Sequence, residues 1–227
     1  MSKILSFVFV LLLSAPGFAQ ETQTRNISHF TGVKVAEGID VYLIKGDKES
    51  AKVEVYGTSI QNVITEVSGS YLKIHMRDGN YKGRVEVKVF VTYTQIEKLS
   101  ASSAGNIFSQ GVIKTSSLEV GSSSAGNIEI EVEAGQVDIS ASSAGEIEIK
   151  GTAKSLNADA SSAGEIDAYD LEVESVEVEA SSAGSVKVNV KDALNANASS
   201  GGSIRYRGNP SKSITNSSSG GSVKKSS

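Results

Sequence analysis

Two sets of residues in this chain could do chemistry, and one spacing governs both. The first is a serine pair that returns along the second half. Ser102-Ser103-Ala104-Gly105-Asn106-Ile107 is followed by copies starting at Ser123, Ser142, Ser161, Ser181, Ser199 and Ser218, the last two with Gly in place of Ala. A serine becomes a nucleophile only beside a base that takes its proton. No copy carries His or Lys next to its serines, so the pair reads as structure. The second set is acidic. After each motif glycine, one outward column reads Asn106, Asn127, Glu146, Glu165, Ser185, Ser203, and the next reads Phe108, Glu129, Glu148, Asp167, Lys187, Arg205. Stacked coils lie ~4.8 Å apart and same-face neighbours along a strand ~7 Å. Glu146, Glu148, Glu165 and Asp167 would then form a two-by-two carboxylate patch. Carboxylates that close repel, and a hard cation such as Ca²⁺ would relieve the repulsion. Paired carboxylates are also the kit of glycoside hydrolysis. The third reading is a solvated face that keeps a rod soluble. The columns turn basic at Lys187, Arg205 and Lys224, which favours ladder pairing or end-to-end contact between rods.

The elements that position these residues follow from the repeat. The motif glycines Gly105, Gly126, Gly145, Gly164, Gly184, Gly202 and Gly221 are 21, 19, 19, 20, 18 and 19 residues apart. So even a period marks a stacked architecture. Strict alternation follows each glycine, as in Ile128-Glu129-Ile130-Glu131-Val132, and precedes each serine pair, as in Val176-Glu177-Val178-Glu179-Ala180. Period two means strands with one buried face. Two short strands cannot bury a face alone, but stacked copies can, so each unit is one coil of a β-solenoid. Carrying the alternation forward from Leu156 puts Ala158, Ala160 and Ser162 inside. The same parity predicts an inward stack of Ser103, Ser124, Ser143, Ser162, Ser182 and Ser200, whose hydroxyls bond each other or the turn backbone. The motif glycines are then the structural turn residues, free to take positive φ at the corner.

The first half is β without the repeat. Ile39-Asp40-Val41-Tyr42-Leu43, Leu72-Lys73-Ile74-His75-Met76 and Val85 to Val91 alternate, with turn signals at Lys45-Gly46-Asp47, Ser68-Gly69-Ser70 and Asp78-Gly79-Asn80. A solenoid needs its first coil covered. Residues 27–99 are therefore expected to form an N-terminal β cap, continuous with the repeat region 100–223 in a single body over 20–227. The tail from Ser217 reads as a frayed last coil. Residues 1–19 read as a signal peptide: Lys3, an apolar run from Ile4 to Leu13, and small residues Gly17 and Ala19 before the cut. Gln20 follows in place of a lipoprotein cysteine, and no later apolar stretch could span a bilayer.

Composition excludes several classes. With no Cys and only His29 and His75 among 227 residues, disulfide frameworks, zinc–cysteine sites and multi-histidine metal centres are out. A net charge of −4 gives no footprint for nucleic acid. No phosphate-binding loop, dinucleotide fingerprint, zinc-protease helix or nucleophile elbow is present. Ser70 and Lys73 form a Ser-x-x-Lys on an ordinary alternating strand. No catalytic residue and no cofactor is assigned, Ca²⁺ at the acidic patch excepted.

The opening Phe30-Thr31-Gly32-Val33-Lys34-Val35, then Asp40-Val41-Tyr42-Leu43, Tyr71-Leu72-Lys73-Ile74 and the Ser-Ser-Ala-Gly-Asn-Ile repeats, resemble the DUF2807 family of Bacteroidota, described as auto-transporter adhesin, head GIN domain. The resemblance runs from Ile27 to the C-terminus. It implies a right-handed parallel β-helix and an adhesive role. A translocating barrel is not expected, since no chain remains after the repeats. The functional expectation is an exported, non-enzymatic, adhesin-like binding protein using repetitive faces, with an envelope, glycan or protein ligand. The alternatives are a periplasmic scaffold that self-associates, and a polysaccharide-active enzyme.

Overall fold

The computed structural model describes residues 20–226; the expected signal peptide lies outside the described residues. Among the described residues the strands are β1 (Glu21–Asn26), β2 (Gly32–Val35), β3 (Asp40–Lys45), β4 (Ser50–Tyr56), β5 (Val63–Ser68), β6 (Tyr71–Met76), β7 (Glu86–Tyr93) and β8 (Lys98–Ala101). The repeat supplies β9 (Asn106–Ser122), β10 (Asn127–Ala141), β11 (Glu146–Ala160), β12 (Glu165–Ala180), β13 (Ser185–Ala198), β14 (Ser203–Arg207), β15 (Lys212–Ser217) and β16 (Ser222–Lys225). Strands β9 to β13 pair in parallel with their neighbours, each one bent coil of the solenoid.

The register follows the alternation. Ile107, Ile128, Ile147, Ile166, Val186 and Ile204 stack in one inward column. Leu118, Val137, Leu156, Val176 and Leu194 stack in another. All are buried, and each such side chain contributes ~1.5–3 kcal/mol on leaving water. Towards the corner the column shrinks to Ala141, Ala160, Ala180 and Ala198, which lets the walls converge.

The N-terminal half joins the same stack out of chain order. On one face β2 lies between β6 and β8; on the other β3 lies between β7 and β9. The β2–β3 coil thus sits between the β6–β7 coil and the first repeat coil. Its corner, with positive φ at Glu37 and Gly38, copies the repeat corner, and Gly38 N–H donates to Ser103 O at 3.1 Å. Beyond it the pairing turns antiparallel: β4 on β7, β1 on β4, and β5 on β6. Arg25 fastens this end. Its guanidinium donates to Val63 O (2.7 Å), Ile60 O (2.9 Å) and Thr65 Oγ1 (3.0 Å).

The other end departs from the expected frayed tail. β16 pairs in register with β14, from Ser203↔Ser222 to Tyr206↔Lys225. β15 lies on β13, so that Ser213, Thr215 and Ser217 follow Leu194, Ala196 and Ala198 in the inward columns. The last coil is ordered because it continues the backbone ladder, and Val223 extends the Ile204 column while the β15 inward positions are polar.

Candidate binding face

The corner comes first, because the site expectations rest on it. In the third copy, Gly145 N–H donates to Ser142 O at 2.9 Å, with Ser143 at φ +51 and Ala144 at φ +58. Two central residues with positive φ make a type I′ turn. Ser103, Ser124, Ser143, Ser162, Ser182 and Ser200 all occupy its first central position, at φ between +48 and +51, and are exposed. The expected inward serine stack is therefore corrected: period two ends where the strand ends, and the turn swings the second serine out. The hydroxyl that does point inward is Ser122, 3% exposed, which donates to Gly126 O at 2.6 Å.

The motif glycines are also corrected. Gly105, Gly126, Gly145, Gly164, Gly184, Gly202 and Gly221 are not at positive φ. Their lack of a side chain serves close approach: a Cβ on Gly145 would lie 2.6 Å from the carbonyl of Ser122 in the preceding coil. The left-handed residues are the serine and the alanine before them. Such residues cost ~1–2 kcal/mol each. An inter-coil bond offsets this, Ala144 N–H to Ser162 O at 3.2 Å in the third copy.

The four carboxylates fall in register. Glu146 is in register with Glu165, and Glu148 with Asp167. A cation of the chain itself already holds half of the patch: Lys187 Nζ lies 3.1 Å from Glu165 and 2.9 Å from Asp167. These bonds, that to Asp167 foremost, hold the Lys187 ammonium above its ordinary pKa. Among the described residues no group of three or more His, Asp or Glu side chains is arranged to hold a metal ion. Half of the patch is thus in ladder pairing with Lys187.

The same outward column holds what sequence reasoning missed. Followed back towards the cap, it runs from Phe108 to Tyr42 and Phe90. The rings stack at 5.1 Å (Phe90–Tyr42) and 5.3 Å (Tyr42–Phe108). Lys52 Nζ lies over the far end, 5.5 Å from the Phe90 ring. Beside Phe108 the ladder is interrupted: Phe108 pairs with Glu129 and Val112 with Glu131, so residues 109–111 stand opposite Ile130 alone. Gly111, at φ +120, permits this bulge. Ser109 Oγ fastens it by accepting from Glu131 N–H at 3.0 Å. The signal was present in the sequence, in the 21-residue first spacing against 19 in the next. Bulge and ring stack enclose a notch of about 350 Å³.

The fold and face define a class: a parallel β-solenoid, capped by antiparallel strands, with flat outer faces built of one side chain per coil. Within that class the chain belongs to the DUF2807 family, "putative auto-transporter adhesin, head GIN domain", whose family model matches residues 29–210. Three solved structures are similar. A "putative adhesin" of Bacteroides fragilis has 18% identity and a TM-score of 0.81, covering 93% of this chain and 99% of its own. A "putative adhesin" of Parabacteroides distasonis has 19% identity and a TM-score of 0.72, covering 93% and 98%. A "putative lipid binding protein" of the same organism has 20% identity and a TM-score of 0.69, covering 92% and 97%. These likenesses show the fold. No curated protein is significantly similar. Among the described residues no helix is long and apolar enough to cross a membrane.

Proposed function

We propose that this protein is an exported, non-enzymatic binding module of adhesin-like character, presenting its outer solenoid faces to a ligand beyond the cytoplasm. One observation carries the reading. Phe90, Tyr42 and Phe108, from three different coils, stack half-buried on an otherwise polar face. Their faces cover one another and their edges remain in contact with water. Such a strip is a ready contact surface for a partner. The family description supports it, and so does the secretory pattern of residues 1–19.

The scaffold reading keeps one specific observation. β15 and β16 end the sheet order, and Ile214 on β15 is 62% exposed. An uncovered strand edge beside an exposed apolar side chain suits end-to-end association.

Protease shaving of intact cells that produce the protein separates the two. Digestion on intact cells supports adhesion. Protection until the outer membrane is opened sinks adhesion to other cells and leaves the scaffold.

A further inference from the structure

We infer that the notch beside Phe108 is a carbohydrate site that takes a sugar ring of a neutral glycan. The inference rests on the binding reading above and names its ligand class. One face of Phe108 is covered by Tyr42 at 5.3 Å. The other is turned towards its register partner Glu129, which is not a ring. The ring stack ends there, and the notch lies beside this end, lined by both Tyr42 and Phe108. At the opposite end of the stack the Lys52 ammonium lies over Phe90, whereas the end at Phe108 carries the notch.

The polar groups around the notch suit a polyol. Gln110, Glu129, Glu148 and Lys150 line it together with Tyr42 and Phe108. Gln110 donates and accepts, the carboxylates accept, and Lys150 donates. Sugar hydroxyls do both, so a mixed set fits them. A bound peptide cation would meet the Lys150 ammonium, which sits 3.4 Å from Glu131. Glu165 and Asp167 show the contrast: on the coil after Glu148, the carboxylates already hold Lys187. A planar apolar face with a few convergent polar groups is the usual make-up of a small-molecule site. Along the column, the spacing of the coils is comparable with that of successive rings in a linear polysaccharide. A chain lying on this face would meet Phe108 with one ring and Glu129 with the next.

The test is calorimetric titration of the full mature chain with cellohexaose, xylohexaose, mannohexaose and chitohexaose, with poly-lysine as comparator. Binding of at least one oligosaccharide is expected. It should weaken roughly tenfold or more in Phe108→Ala, the size of a central contact, and in Gln110→Ala. It should persist in Ile214→Ser, at the far end of the solenoid. Phe108→Leu keeps an apolar group on Tyr42 but removes the ring, and it should also bind weakly while melting like the parent. The inference is overturned if no oligosaccharide binds the folded protein, or if binding ignores both Phe108 variants. It is equally overturned if poly-lysine alone binds, in a salt-sensitive manner that Glu148→Gln weakens. Labelled protein applied to cells keeps the two readings apart. Cell coating without oligosaccharide binding removes the glycan site and spares the binding function; loss of both removes the two together.

Discussion

Replacing Gly164 by alanine isolates what the repeat glycine does. Its φ is not positive, so alanine meets no backbone strain there. The added Cβ would lie 2.3 Å from the carbonyl oxygen of Ala141 and 2.5 Å from its carbon. Both atoms are backbone of the preceding coil and cannot rotate away, so the coils must separate locally. Overpacking of this kind costs ~1–3 kcal/mol, and a rigid backbone neighbour puts it near 3. Gly201→Ala is the matched control. Gly201 has φ +76 and nothing within 4 Å of its would-be Cβ. Alanine there costs ~1 kcal/mol in the left-handed region and regains ~0.4–1 kcal/mol by restricting the unfolded chain. Ala183, the equivalent residue one coil earlier, already sits at φ +62. The two variants should therefore differ by ~2–3 kcal/mol, or ~4–12 °C in Tm for a chain of this size. Thermal melts give the ranking. Hydrogen exchange should place the loosening of Gly164→Ala in β10, β11 and β12, the coils it separates. Equal melting temperatures, or a greater loss in Gly201→Ala, would refute the close-approach argument and restore the φ argument.

Two electrostatic predictions follow from the geometry. The hydroxyl of Thr94 donates to Glu49 at 2.6 Å and His29 Nδ1 lies 2.9 Å away, which hold the carboxyl at about 2, against an ordinary 4.5. A depressed carboxyl adds stability above its unfolded value and loses it as pH falls through the folded one. Carbon-detected NMR titration should thus place the Glu49 midpoint near 2, and Thr94→Val should move it upward; a midpoint unchanged in that variant would exclude the hydroxyl as the cause. Lys187→Met removes the cation shared by Glu165 and Asp167. The pair is partly exposed, so the loss should be ~1 kcal/mol or less and shrink with added salt. Because the lysine pKa is raised, its contribution is present below the unfolded lysine value of about 10.5 and fades as pH rises through the folded one. Chemical denaturation of parent and variant at neutral and strongly alkaline pH checks this, and a difference that grows with pH would contradict it.

Much of the fold was legible, because the repeat states its register many times. Once Ile128 and Ile147 are inward, their neighbours are outward, and the columns of Glu146, Glu165, Glu148 and Asp167 follow. What parity could not carry was the corner. Alternation holds only while the backbone is extended, and from Ser161 onward it is not: Ser162 and Ala163 turn left-handed at φ +49 and +60. Parity carried one residue further puts the serine inside and gives the glycine the wrong duty. The aromatic column was hidden for another reason. Phe90, Tyr42 and Phe108 come from coils stacked out of chain order, and no local spacing connects Tyr42 to Phe90 on one side and Phe108 on the other.

Regularity also says where to look for function. A column of identical surroundings can be maintained by one residue type per coil, as the inward isoleucines show. Departures from it need a separate cause. Later coils also shift register, between Glu148 and Gly151 and between Ala168 and Glu172, but beside Phe108 four departures coincide: an extra-long first spacing, a bulge opposite Ile130, a stack of three rings and a notch next to the last of them. The bulge adds nothing to the inward columns, since Ile107 pairs with Ile128 before it and Ile113 with Val132 after it. Its residues stay outside the core and re-aim the surface next to Phe108. The inward columns account for the core, and the surface beside Phe108, where bulge, rings and notch coincide, is the part of the face that the proposed ligand would use.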